Sequence, residues 1–280
     1  MKVDFYGTRI APPTQAIANA FGSKEIPVLL KGGQGTTYRA GNNILKPSEG
    51  TEIQKWTAEA YQSLPESSEV RFPRPIKSIN ETWIYDGYIA LSFVEGEHVK
   101  GHYTEKLSAS IAFHKLLKGI PKPDFVGLGN NSWSVGDLVA WDNQEFKYDQ
   151  EFMDLYNQIK PHLKKLNLPA QLVHGDLSGN FLVHPSLPVA IIDYSHAWAP
   201  NGFAEGIMLA DVIAWENADP KDLECFRQIP NIDQFAWRGI LRRITEQAEH
   251  IKHFDKDKSQ ALEEARAFQK SIDYLKANYV

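Results

Sequence analysis

Two aspartates stand out by what surrounds them. The run Leu172-Val173-His174-Gly175-Asp176-Leu177-Ser178-Gly179-Asn180-Phe181-Leu182-Val183 leads from an apolar strand into a polar loop that holds a carboxylate and then an amide. The run Val189-Ala190-Ile191-Ile192-Asp193-Tyr194 delivers a second carboxylate from a second apolar strand, seventeen positions after the first. Phosphoryl transfer asks for such parts. It needs a carboxylate to accept or orient the attacking hydroxyl, and oxygen ligands for a magnesium ion that bridges phosphates. Either fragment alone would read as an ordinary loop with a solvated aspartate at a strand end. The succession of the two is what points to a site. A Ser-His-Asp relay built from His174, Asp176 and Ser178 is excluded by geometry, because three residues crowded into one short loop cannot place the base between the other two.

The elements that must position these groups fall into two textures. Residues 1–95 read as a short helix from Pro12-Pro13-Thr14 to Phe21, stopped by Gly22, followed by a meander of strands. The expected strands are Ile26 to Leu30, Thr36 to Ala40, Ile44 to Lys46, Pro75 to Ile79, Thr82 to Tyr85 and Tyr88 to Val94, with a turn at Asp86-Gly87. A helix from Gly50 to Leu64 interrupts them, with Ile53, Trp56, Ala60 and Leu64 on one side. From Gly96 to Val280 the pattern is helical: Glu105 to Leu117, Gln150 to Leu166, Phe203 to Asn217, Asp233 to Phe254 and Lys258 to Asn278. The strand-rich island that holds both aspartates lies among them. A β-rich front lobe over 1–95 and a mainly helical rear lobe over 96–280 make an α+β chain.

Composition narrows the class. Apolar residues are 42% and charged residues 23% of the 280, which is globular usage. A net charge of -5 argues against a nucleic-acid or polybasic membrane surface. The single cysteine, Cys225, excludes an internal disulfide and a Cys-rich zinc site and fits a reducing compartment. No apolar run approaches the length of a membrane span, and no secretory signal is visible, so a soluble cytoplasmic protein is expected. His250 and His253 share a helix face, but their mixed-charge surroundings read as a solvated helix end. Trp133, Trp141 and Trp198 fall in loop-like segments, where packing or a substrate pocket would use them.

At His174-Gly175-Asp176 with Asn180, and at Ile191-Ile192-Asp193, the chain resembles the aminoglycoside phosphotransferase-like family, of protein-kinase-like fold. The resemblance implies a two-lobed kinase-like fold. It also implies Asp176 as catalytic base, Asn180 and Asp193 as magnesium ligands, and His174 as an architectural loop histidine. It makes Asp211, eighteen positions beyond Asp193, a strut that binds the backbone of the catalytic loop. A carboxylate among Met208, Leu209, Val212 and Ile213 is costly unless paired. In the front lobe, Gly32-Gly33-Gln34-Gly35-Thr36 lies where such a fold places its phosphate-covering loop, and glycine there lets backbone N–H groups approach phosphate oxygens. Lys46 matches the nucleotide-binding lysine by order and spacing. Glu59 is its expected acidic partner, with Glu52 as the alternative. Leu91 to Glu95, with Phe93 and Glu95, resembles the segment whose backbone meets the adenine edge.

The implied reaction moves the γ-phosphoryl of ATP or GTP to a hydroxyl of a small molecule, with Mg2+. Neither the acceptor nor the oligomeric state is read from the sequence. One departure stands out. The family's loop reads H-x-D-x-x-x-x-N, whereas Asn180 follows Asp176 one residue sooner, a shortening that an uncharacterised bacterial branch shares. The shortened loop also fits a pseudokinase, a nucleotide-binding regulatory protein without transfer.

Overall fold

The computed structural model describes residues 2–3, 9–31 and 35–279, and the chain divides into two compact units. The first comprises Met1–Ser67 and Arg71–Glu95. A short antiparallel ribbon, β1 (Lys2–Val3) with β2 (Arg9–Ile10), precedes helix α1 (Gln15–Ala20). Thr14 starts α1 by accepting the Ile17 N–H on its hydroxyl at 3.4 Å, and Gly22, at φ 81°, ends it in a conformation that costs other residues. Strands β3 (Val28–Leu29), β4 (Tyr38–Ala40), β5 (Asn43–Pro47), β6 (Pro75–Ile76) and β7 (Tyr88–Ser92) form one antiparallel sheet in the order β3-β4-β5-β7-β6. Ile17, Ala18 and Phe21 of the α1 region pack with Tyr38, Leu45, Tyr88 and Ala90 of the sheet as its core.

Helix α2 (Thr51–Ser63) buries Gln54, Thr57, Ala58 and Tyr61, spaced i, i+3, i+4 and i+7. This corrects the expected inner face at Ile53, Trp56 and Ala60. Two polar residues stand on the true inner face, so apolar periodicity alone finds the wrong stripe. Arg74 fastens the helix end, donating from Nη1 to the Tyr61 and Leu64 carbonyls at 2.9 and 2.7 Å. The Asp86-Gly87 turn forms, with φ 47° and 75°, yet it closes only the single bridge Tyr85–Tyr88. The expected strand from Thr82 to Tyr85 is otherwise absent. Ser78 and Thr82 instead bond each other through backbone and hydroxyl groups, which competes with a ladder.

The second unit comprises Ser68–Val70 and Gly96–Val280. It holds α3 (Tyr103–Leu117), α4 (Ser132–Ala140), α5 (Gln150–Ile159), β8 (Ala170–His174), β9 (Phe181–Leu182), β10 (Ala190–Ile191), β11 (His196–Pro200), α6 (Phe203–Asp211), α7 (Ile232–His253), α8 (Lys258–Ala267) and α9 (Gln269–Asn278). Two elements escape the sequence reading. Helix α4 starts on Asn131, whose side chain accepts the Ser134 N–H at 2.9 Å, so Trp133 is helical rather than in a loop. Strand β11 carries Trp198 and pairs with β8. Two expected helices are also shorter. Pro161, without an N–H, turns the end of α5 into a 3-10 turn, and Phe268 separates α8 from α9.

Helix α7 is the axis of this unit, with Arg238, Arg242, Arg243 and Glu246 all buried on it. It lies against α6 closely enough that glycine is required at the crossing. A Cβ on Gly206 would sit 2.4 Å from the Phe235 carbonyl carbon, and one on Gly239 would sit 2.9 Å from Ile207 Cα. That approach brings Asp211, the last residue of α6, to Arg243. Among the described residues, no helix is long and apolar enough to cross a membrane.

Candidate active site

The site is built on the β8/β11 ribbon, where His174 pairs with His196 and the Gly175 N–H donates to the Ser195 carbonyl at 2.7 Å. A side chain at Gly175 would meet Ala197 Cβ at 3.1 Å and Arg242 Nη2 at 3.3 Å, so glycine fits this turn between strand and loop. The His174 ring is fully buried. Its Nδ1 accepts the Asp176 N–H at 3.2 Å and its Nε2 donates to the Ile192 carbonyl at 3.1 Å. One ring thus ties the loop of Asp176 to the strand end before Asp193. Burial pushes the imidazole pKa down, and the neutral tautomer is the one these two bonds require.

The shortened loop closes on itself. Asn180 Nδ2 donates to the Asp176 carbonyl at 2.6 Å, and the Asn180 carbonyl accepts the Ile192 N–H at 3.0 Å. The amide nitrogen is therefore spent on the loop, and the oxygen is the group left to act as a ligand. Asp193 is exposed and takes a left-handed φ of 61°. A non-glycine residue in that region marks local strain of the kind that collects at functional positions.

Behind the loop lies a layer the sequence did not reveal. The His174 N–H donates to His114 Nε2 at 3.0 Å, so that nitrogen carries no proton and the His114 N–H is on Nδ1. Nδ1 donates to Glu205 Oε1 at 2.8 Å, and the Ser110 hydroxyl donates to the same oxygen at 2.6 Å. Burial would raise the Glu205 pKa, but the His114 ring and the Ser110 hydroxyl outweigh it and hold the carboxyl below its ordinary range. Helices α3 and α6 are thereby fastened to the start of the Asp176 loop.

Asp176 keeps 38% of its side chain exposed and meets Arg243 Nη2 at 2.6 Å through Oδ1. Burial pushes its pKa up, and the Arg243 guanidinium more than offsets this, so the carboxyl lies below its usual range. Arg243 in turn is gripped by Asp211, with Nε to Oδ1 at 3.0 Å and Nη2 to Oδ2 at 2.6 Å, and by Glu246 Oε2 at 3.0 Å. Asp211 is expected as a strut against loop backbone; its oxygens take the Arg243 fork, and the Ser178 hydroxyl of the loop also draws its pKa down. Burial pushes Asp211 up to about 6 against the pull of Arg243. The arginine was invisible in sequence, where Arg242-Arg243 looks like surface charge. The available signal was their place in an otherwise apolar helical run.

In the first unit, Lys46 is half-buried on β5, opposite Ile89. Glu59 stands exposed on α2, as does Glu52, so it lies off the buried face of that helix and does not turn inward as expected. Gly35, at φ 73°, and Thr36 lead into β4, whereas Gly33 and Gln34 lie outside the described residues. The Phe93 N–H is already donated to the Asn42 carbonyl at 2.8 Å, and the Glu95 carbonyl accepts Arg71 Nη2 at 2.9 Å. Those two backbone groups are engaged within the unit, which leaves the Phe93 carbonyl and the Glu95 N–H as the groups of this segment that the adenine-edge expectation concerns.

Trp141 and Trp198 line a cavity of about 310 Å³ with Asp137 and Lys122. Its Ala170 and Pro200 walls pair at the end of the β8/β11 ribbon away from His174, so this cavity does not open on Asp176. Trp133 packs on His250 and Phe254 instead.

No protein-family model matches the chain, and no curated protein matches it by sequence. Solved structures do match in shape. The AMP-bound spectinomycin phosphotransferase APH(9)-Ia superposes with a TM-score of 0.59 at 12% identity, over 95% of this chain and 98% of that one. The choline kinase LicA from Streptococcus pneumoniae gives 0.60 at 12% identity, over 94% and 97%. An aminoglycoside phosphotransferase from Alicyclobacillus acidocaldarius gives 0.55 at 16%, over 96% and 97%. The fold is the two-lobed, kinase-like fold of these phosphotransferases. At such identities the likeness speaks for the fold, and the chemistry has to be argued from this chain's own residues.

Those residues suit magnesium. Among the described residues no cluster of three or more His, Cys, Asp or Glu forms an all-protein metal cage. An exposed aspartate with one amide oxygen is instead the kind of donor set on which Mg2+ keeps waters and takes further oxygens from substrate phosphates.

Proposed function

We propose that this chain is a magnesium-dependent phosphotransferase that moves the γ-phosphoryl of ATP or GTP onto a hydroxyl of a small molecule. One observation carries the reading. A carboxylate, Asp176, is held by one oxygen on Arg243 and joined through the His174 ring to the strand end of Asp193, in a chain of phosphotransferase fold. In the reaction the acceptor oxygen bonds to the γ-phosphorus as the bond from that phosphorus to the β–γ bridging oxygen breaks. The acceptor proton passes to Asp176 Oδ2, and a phosphomonoester and a nucleoside diphosphate leave. The transition state is loose, so the carboxylate contributes mainly by orienting the hydroxyl and taking its proton late. A low pKa suits that task. Asp193 and the Asn180 amide oxygen would hold Mg2+, which when bound neutralises charge on the phosphates. Lys46 and the backbone at Gly35 and Thr36 are assigned to the nucleotide phosphates by the family resemblance. A lone cysteine in 280 residues fits a cytoplasmic setting.

A second reading, a nucleotide-binding regulator without transfer, is favoured by one feature. The shortened loop spends the Asn180 amide nitrogen on the carbonyl of Asp176. Both readings require a nucleotide site, and a thermal-shift titration with ATP and GTP tests it. Ligand at a hundredfold excess over its dissociation constant adds about 2.7 kcal/mol of stability. The shift is expected only with magnesium present, and it is expected to vanish in Asp193→Ala. No shift at millimolar nucleotide would sink both readings.

A further inference from the structure

Asp176 is anchored by a group that belongs to neither the catalytic loop nor the strand of Asp193. Arg243 projects from the middle of α7 with its side chain only 6% exposed. Its fork is set by Asp211 through Nε and Nη2, and Nη1 is committed to Glu246. The Trp215 ring lies 5.3 Å from the guanidinium carbon. Trp215 sits on the single π-turn, Val212–Glu216, that extends α6 directly after Asp211. With the plane of the guanidinium fixed by these partners, the remaining Nη2 hydrogen has one direction left, and Asp176 Oδ1 lies in it at 2.6 Å.

Electrostatics alone would not call for this construction. A lysine would supply the same charge, but as a point donor on a flexible stem it cannot hold Asp211 in a fork and Asp176 at the same time. Fixing one oxygen of a carboxylate fixes the direction of the other. We propose that Arg243 is the positioning residue of the transfer site. Its guanidinium, oriented by Asp211 and Glu246, clamps Oδ1 of Asp176 so that Oδ2 is presented to the acceptor hydroxyl. Arg243 itself touches neither acceptor nor nucleotide. The inference rests on the phosphotransferase reading for its consequence, whereas the clamp is a property of the folded chain and can be measured without turnover.

The test has two arms. In 15N-arginine-labelled protein, a clamped Arg243 gives slowly rotating, resolved Nη–H signals, and Asp176→Asn shifts the Nη2 signal. Averaged Nη signals that Asp176→Asn leaves unmoved would overturn the clamp whether or not the protein is active. In the second arm, Arg243→Lys and Arg243→Ala are assayed for transfer, with melting temperatures measured alongside. Misplacing a reacting group by about 1 Å costs on the order of 100-fold. Arg243→Lys is therefore expected to lose about 100-fold in kcat with the nucleotide KM unchanged. Added methylguanidinium is expected to restore part of the activity of Arg243→Ala, which a purely structural role would not allow. Should Arg243→Ala fail to fold, Asp211→Asn, which loosens the fork and leaves both guanidinium and base in place, is expected to lower kcat in the same pattern. Unchanged kcat in Arg243→Lys, or a raised nucleotide KM at unchanged kcat, would overturn the proposal. Absence of transfer by the wild type with the NMR signature intact would sink the phosphotransferase reading and keep the clamp.

Discussion

Asp176→Asn is expected to lower kcat by about 10²–10⁴-fold, the range that a positioned base contributes, with nucleotide affinity unchanged. The structure makes this a clean substitution. An asparagine Oδ1 still accepts the Arg243 Nη2 bond, so the contact of 2.6 Å and the α7 cluster behind it survive. The loop backbone also keeps its bonds, because the Asp176 carbonyl and N–H, not its side chain, bind Asn180 and His174. What changes is the second side-chain atom, which becomes an amide nitrogen unable to take the acceptor proton. Steady-state transfer kinetics with parallel nucleotide titrations check the claim. Retained turnover with weakened nucleotide binding would place Asp176 in the nucleotide site rather than at the acceptor.

His114→Leu is expected to be the most damaging substitution for stability. It strips the buried Glu205 carboxylate of a hydrogen-bond donor at 2.8 Å and leaves the His174 N–H unpaired at the start of the Asp176 loop. Breaking a buried pair from one side costs about 3–5 kcal/mol. For a unit of this size that corresponds to a fall in Tm of roughly 6–20 °C. The double variant His114→Leu with Glu205→Leu is expected to be more stable than His114→Leu alone, because no buried charge remains and only two neutral groups, the His174 N–H and the Ser110 hydroxyl, lose their partners. Thermal melts of the wild type, both single variants and the double variant read the coupling. Strict additivity would show that the two side chains do not act as a pair.

The parts of the molecule that were legible in sequence are those where one local rule dominates. The apolar strand, the polar loop and the His174-Gly175-Asp176 run are contiguous, so their element and its chemistry can be read together. The Asp86-Gly87 turn and the Thr14 cap are equally local. Long-range partnerships are another matter. Arg243 reaches Asp176 across 67 positions and His114 reaches Glu205 across 91, and nothing in either neighbourhood announces the other. A buried arginine inside a helix carries the same letter as a surface one. Polarity on an inner face misleads in the same way, since Gln54 and Thr57 hide the buried side of α2 and left Glu59 looking inward. Helix α4 and strand β11 went unread because their caps and pairing partners, not their composition, decide them.

Transfer of a phosphoryl group to a hydroxyl is measured by 31P NMR of the wild-type protein with magnesium, ATP or GTP and a panel of hydroxyl compounds. Sugars, amino alcohols, choline-like compounds and aminocyclitols span the acceptor chemistry. A new phosphomonoester resonance is expected to grow with the nucleoside diphosphate for at least one acceptor, and to be absent in Asp176→Asn. Magnesium-dependent nucleotide binding without a phosphomonoester from any acceptor, in a protein whose site residues are all intact, would contradict transfer and favour the regulatory reading.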